Sequence, residues 1–102
     1  PLLTRAAALA PREMTIVYRA ARGSLAIGDV TAAQRELERV VQSQDMVIAV
    51  TRAAACVDLA RLRERSNDRS AAIGLYERAR SIVGSDPRTR AEAEEGIKRL
   101  VR

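Results

Sequence analysis

Apolar residues recur along this chain at spacings of three and four, with charged and polar residues between them, which is the period of helices with one face turned inward. Residues 2–9 read as the tail of a helix that stops at Ala10-Pro11, because proline disfavours helix in the residue before it and suits the first turn of the helix after it. Pro11-Arg12-Glu13 then opens a helix to about Ile27, with Met14, Val17, Ala20, Ala21 and Leu25 on one face, and Gly28 ends it. Asp29 caps the next helix, whose inward stripe is Val30, Ala33, Leu37, Val40 and Val41. Residues 42–45 are polar and carry a turn. Residues 46 to about 65 form the longest helix, apolar almost all round as far as Ala60, as expected where a helix is covered on more than one side. Asn67-Asp68 is a second turn, and the helix after it runs to Val83 with Ala72, Leu75, Tyr76, Ala79, Ile82 and Val83 inward. Gly84 stops it, and a last helix over about 88–101 has Ser85 or Asp86 as its cap and Pro87 in its first turn. That helix has Ala93, Ile97, Leu100 and Val101 apolar and Glu92, Glu94, Glu95 and Lys98 solvated, the carboxylates standing early enough to favour the helix dipole. Sustained period-two alternation is absent, so the pattern predicts an all-α chain.

The pattern also repeats. Shifted by 39 residues (72 − 33), Asp29 meets Asp68, Ala33 meets Ala72, Leu37 meets Tyr76, Glu38-Arg39 meets Glu77-Arg78 and Ala21-Arg22 meets Ala60-Arg61. Self-similarity at such a period is the mark of stacked helical units, in which no unit buries its apolar faces alone.

Composition sharpens this picture. Of 102 residues, 47% are apolar but only 2% are aromatic, and alanine dominates, so the core has to come from thin helices that approach closely. Eighteen basic residues against 13 acidic ones give a net charge of +5, and Lys98 is the only lysine. The arginines are spread along the chain beside Glu or Asp, which reads first as solvated helix faces and second as attraction for an acidic partner. The preference for arginine over lysine, with the richness in alanine, associates the chain with a GC-rich bacterial genome. Cys56 is alone in an apolar run, has no internal disulfide partner and is read as a small buried hydrophobe. No membrane span or leader pattern is present in the sequence as given, which begins inside a helix-like pattern and is expected to be part of a longer protein. Its compartment is open between the cytoplasm and a soluble domain of an envelope-associated protein.

With turns and stripes placed, the chain resembles the tetratricopeptide repeat. The resemblance is carried by Ala20, Ala21, Gly28, Asp29, Ala33, Leu37 and Val40 in one unit, and by Leu59, Ala60, Asn67, Asp68, Ala72, Tyr76, Ala79 and Pro87 in the next. Leu3, Ala6 and Pro11 fit the end of a preceding unit. The period exceeds the family's roughly 34 residues by about five, and Ser24 and Arg63 stand where the family usually has Tyr. The resemblance implies an α-hairpin repeat stack, a right-handed superhelix of five to six helices in one domain. Its parts are the end of a repeat at 1–11, full repeats at 12–45 and 46–86, and a terminal helix at 87–102. It also implies that the first helix of each pair lines a concave groove, with Thr15, Tyr18, Arg19, Arg22 and Leu25 facing in from one unit and Ala54, Val57, Asp58, Arg61 and Arg65 from the next. The family's Lys/Asn carboxylate clamp is not expected, since Tyr18, Arg22 and Asp58 occupy those places.

Catalytic chemistry finds no purchase in the residues. There is no histidine, Cys56 has neither an imidazole partner nor a second cysteine, and Gly28 and Gly84 are isolated, so no catalytic, metal or cofactor residues are assigned. The expected function is a non-enzymatic protein-interaction scaffold. Register-matched Arg22 and Arg61 stand side by side to receive an acidic or extended peptide or a partner helix, or else they pair with Asp58. The alternatives are a basic helical nucleic-acid binder, disfavoured by the lack of stacking aromatics, and a self-assembling module that oligomerises through its terminal helices.

Overall fold

The computed structural model describes residues 10–43 and 49–101. These form five helices, α1 Ala10–Ala26, α2 Val30–Gln42, α3 Ala49–Arg65, α4 Arg69–Ser81 and α5 Pro87–Val101, with no strand among the described residues. The expected helix over residues 2–9, the second half of the turn at 42–45 and the start of the long helix at 46 lie outside the described residues.

The two halves match in detail. α2 and α4 are each 13 residues long. The long helices α1 and α3 end 39 residues apart (65 − 26), and the short ones start 39 residues apart (69 − 30). The turns between them are copies. Gly28 and Asn67, one period apart, both take a positive φ, of 83° and 63°. Each donates its N–H three residues back, to the Leu25 carbonyl at 3.2 Å and the Glu64 carbonyl at 3.0 Å. The next residue in each turn reaches five back, Asp29 to Ser24 and Asp68 to Arg63, both at 2.9 Å. This double closure satisfies the last carbonyls of the first helix, and it requires a left-handed residue that glycine or asparagine supplies at low cost. Asp29 and Asp68 then cap the second helix, their Oδ1 atoms accepting from the N–H of Ala32 and Ala71, each at 3.2 Å.

Matched positions are also matched in burial. Ala21 and Ala60, Ala33 and Ala72, Leu37 and Tyr76, and Val40 and Ala79 are all buried. Their small side chains let the axes approach, and every chain-neighbouring pair of helices packs together. α3 touches all four others, which explains its unbroken buried run from Ala55 to Ala60. Of the alternate helices, α1 and α5 both reach α3, whereas α2 and α4 do not approach each other through their backbones. The thinnest dimension, 19 Å, is that of two helix layers.

Several side chains depart from the expected stripes. Val30 is 44% exposed, because it is the first helical residue after its cap and lies beyond the crossing. α4 ends at Ser81, two residues early, so Val83 falls in the turn closed by left-handed Gly84 and is exposed. Val50 faces solvent, and so does Val101 at the end of α5.

Candidate functional site: a carboxylate-bridged arginine surface

Asp58 organises the one face on which α1, α3 and α5 meet. Its position, seven residues before the end of α3, puts a carboxylate where its repeat mate is Arg19, and it is 6% exposed. A buried carboxylate needs partners, and it takes them from α1 and from its own helix. The Tyr18 hydroxyl donates to its Oδ2 at 2.7 Å. The guanidinium of Arg22 donates to its Oδ1 at 3.1 Å, and that of Arg61, one helical turn along α3, lies 3.8 Å from the same oxygen. Arg61 then reaches on to α5, donating to the Glu92 carboxylate at 2.8 Å. The result is a chain of alternating charge across three helices, with the Arg22 and Arg61 side chains still 57% and 49% exposed.

Burial, and then the hydrogen bond and negative charge of Asp58, push the Tyr18 hydroxyl well above its ordinary pKa, so it is a fixed donor at physiological pH. A second tyrosine plays the same part behind the face. The Tyr76 hydroxyl donates to Glu64, which also accepts from Arg99 at 2.7 Å and ties α4, α3 and α5 together. Elsewhere Ser24 donates to Glu36 at 2.9 Å and Arg63 to Glu38 at 2.7 Å, so the two positions where the family usually has Tyr each bind the neighbouring helix by a polar side chain.

The Asp58 bridge divides the face into two clefts. On the side toward the C-terminal ends of α1 and α3 is one of about 310 Å³, with Leu25, Ala26 and Leu62 as apolar walls and Arg22, Arg61 and Arg65 around them. On the other side is one of about 300 Å³, more polar, bounded by Tyr18, Ala54, Val57, Arg88, Thr89 and Glu92. No described ion pair or side-chain hydrogen bond occupies Arg65 or Arg88, in contrast to Arg22 and Arg61.

Of the sequence-predicted groove residues, Tyr18, Arg22, Asp58, Arg61 and Arg65 converge here. Thr15 and Arg19 line neither cleft, though both sit on α1. Arg22 and Arg61 do stand together as matched copies, and they pair with Asp58 as the second of the two expectations had it. The α5 wall was missed. One period before Glu92 stands buried Ala53 rather than a groove residue, so the repeat register carried no signal for it. Glu92 therefore does not serve the α5 dipole as expected: the first turn of α5 holds no acidic residue, and Glu92 faces Arg61.

Burial pushes the Cys56 thiol up, against the pull of Arg78 and Arg52, which keeps it a protonated core side chain. Among the described residues no helix is long and apolar enough to cross a membrane, and no cluster of metal-ligating side chains occurs. No protein-family model matches the chain, and no curated protein or solved structure matches it either.

Proposed function

We propose that this chain is a non-enzymatic interaction module of the tetratricopeptide-like kind, which holds an acidic peptide or partner helix on the face shared by α1, α3 and α5. The observation that carries the reading is the unequal spacing of the two layers. α3 touches both α1 and α5 while α2 and α4 do not touch, which supports a stack that bends with the face of the odd-numbered helices as its concave side. Four arginines line that face, against Asp58 and Glu92. Arg22 and Arg61 are held in place by the two carboxylates, and Arg65 and Arg88 are left to meet a ligand's charge. Guanidinium groups fixed before binding lose little freedom on meeting a carboxylate.

Reversing Arg22 and Arg61 is a poor test, because it would strip the buried Asp58 carboxylate of its counter-charges and damage the fold. Arg65→Glu with Arg88→Glu leaves the Asp58 bridge and its ion pairs intact. Fluorescence anisotropy with a dye-labelled Glu-rich peptide should show binding to the wild type that weakens with salt and is lost in the double variant, with unchanged helicity by circular dichroism. Equal binding by wild type and variant refutes the groove. Preferential binding of a single-stranded oligonucleotide over the Glu-rich peptide would move the function to nucleic acid.

A further inference from the structure

The two clefts beside Asp58 are not alike, and the difference specifies more than acidity. One is walled by Tyr18, Thr89 and Glu92 and offers a carboxylate of its own. The other has half-buried Leu25 and buried Leu62 as its floor, Ala26 at its edge and three guanidinium groups around it. An acidic side chain alone would leave that floor wet, and an apolar side chain alone would leave the guanidinium of Arg65 without a counter-charge. A volume of about 310 Å³ lies at the small end of ligand sites, so one side chain and its neighbours fill it. From this geometry we infer that the Leu25–Leu62 cleft is a specificity pocket for a single branched apolar residue flanked by carboxylates within an acidic peptide.

The inference rests on the proposed groove and adds to it a sequence requirement. The apolar side chain covers Leu25 and Leu62, and the flanking carboxylates fall to Arg65 on one side and to Arg22 and Arg61 on the other. Because Asp58 already holds Arg22 and Arg61 at 3.1 and 3.8 Å, the cation left to gain a full new partner is Arg65. Arg65→Gln should therefore weaken the peptide more than the equivalent change at Arg19, which lines neither cleft.

The test compares dye-labelled peptides Gly-Glu-Leu-Glu-Gly and Gly-Glu-Ser-Glu-Gly by anisotropy against the full chain. Partial burial of one leucine in an open cleft should make the first bind about threefold to tenfold more tightly. Ala26→Tyr places a ring in the cleft from an exposed helix-end position. It should erase that preference while leaving the salt-dependent part of the binding, with circular dichroism reporting the fold. If both peptides bind equally to the wild type, the pocket is refuted and the acidic groove stands. If neither binds, both fall. A leucine preference that survives Ala26→Tyr places the apolar contact elsewhere and overturns the inference. So does a mass that doubles with concentration without peptide, since the cleft would then be taken by a second copy.

Discussion

Gly96→Ala sets two effects of opposite sign against each other, and the structure decides between them. Gly96 lies in the interior of α5, where alanine is favoured over glycine by about 1 kcal/mol. A Cβ built at Gly96, however, would stand 2.5 Å from Cε2 and Cζ of Tyr76 and 2.8 Å from Cδ2. The ring has no easy retreat, since it is 1% exposed and its hydroxyl is held by Glu64. Overpacking of this kind costs about 1–3 kcal/mol, and displacing the hydroxyl from Glu64 adds about 1 kcal/mol. The net expectation is a loss of about 1–3 kcal/mol, which for a domain of this size lowers Tm by roughly 4–8 °C per kcal/mol. Removing the ring should reverse the sign. In a Tyr76→Leu background the same Gly96→Ala change should stabilise by about 1 kcal/mol, since only the helix propensity remains. Urea unfolding of the four proteins, followed by circular dichroism, gives the coupling directly. A stabilised Gly96→Ala single variant, or equal effects in the two backgrounds, would show that Tyr76 does not rest on α5.

The paired turns make a matched prediction: Gly28→Ala and Asn67→Ala should each cost about 1–2 kcal/mol by thermal melting, because alanine is strained at φ 83° and 63°, whereas Asn67→Gly should be close to neutral. Loss of each cap, by Asp29→Ala or Asp68→Ala, should cost about 1 kcal/mol, and the two losses should add. A pH dependence arises from Tyr76 and Glu64. Burial, and then the Glu64 carboxylate, push the Tyr76 hydroxyl from its ordinary 10.0 up to about 12, so its contribution is full below pH 10 and is lost as pH rises through 12. Burial alone would raise the Glu64 carboxyl, but the Tyr76 hydroxyl and Arg99 outweigh it and hold it below its ordinary 4.5. Its contribution is therefore full above 4.5 and fades as pH falls further, and urea midpoints across a pH series should fall off at both ends.

Much of the fold was legible because local and repeating signals agreed. Asp29 announced its cap, Gly28-Asp29 and Asn67-Asp68 their matching turns, and the matched alanines marked where helices cross. What failed sits at helix ends, where the apolar period continues after the backbone has turned away. Val83 kept the stripe of α4, but Gly84 had already begun the turn. At the site, the repeat put Arg22 beside Arg61, yet nothing in the spacing fixed whether Asp58 would claim them. That outcome depends on burial: a carboxylate 6% exposed draws the nearest guanidinium groups, and only the packing of α3 between α1 and α5 determines its burial. The contribution of Glu92 carried no repeat signal, since the residue one period before it is buried Ala53. The contact of Gly96 with Tyr76 carried no sequence signal beyond a glycine where a helix would prefer another residue.

The central claim is that two copies of one hairpin stack so that Asp58 of the second gathers side chains of the first. Tyr18 and Tyr76 are the only aromatic residues in the chain, so their ring protons are resolved in an NMR spectrum. Nuclear Overhauser cross-peaks should connect the Tyr18 ring to the β protons of Asp58, 40 residues away, and the Tyr76 ring to the α protons of Gly96. A helical spectrum in which the Tyr18 ring shows no cross-peak to Asp58 would contradict the stack and the groove built on it.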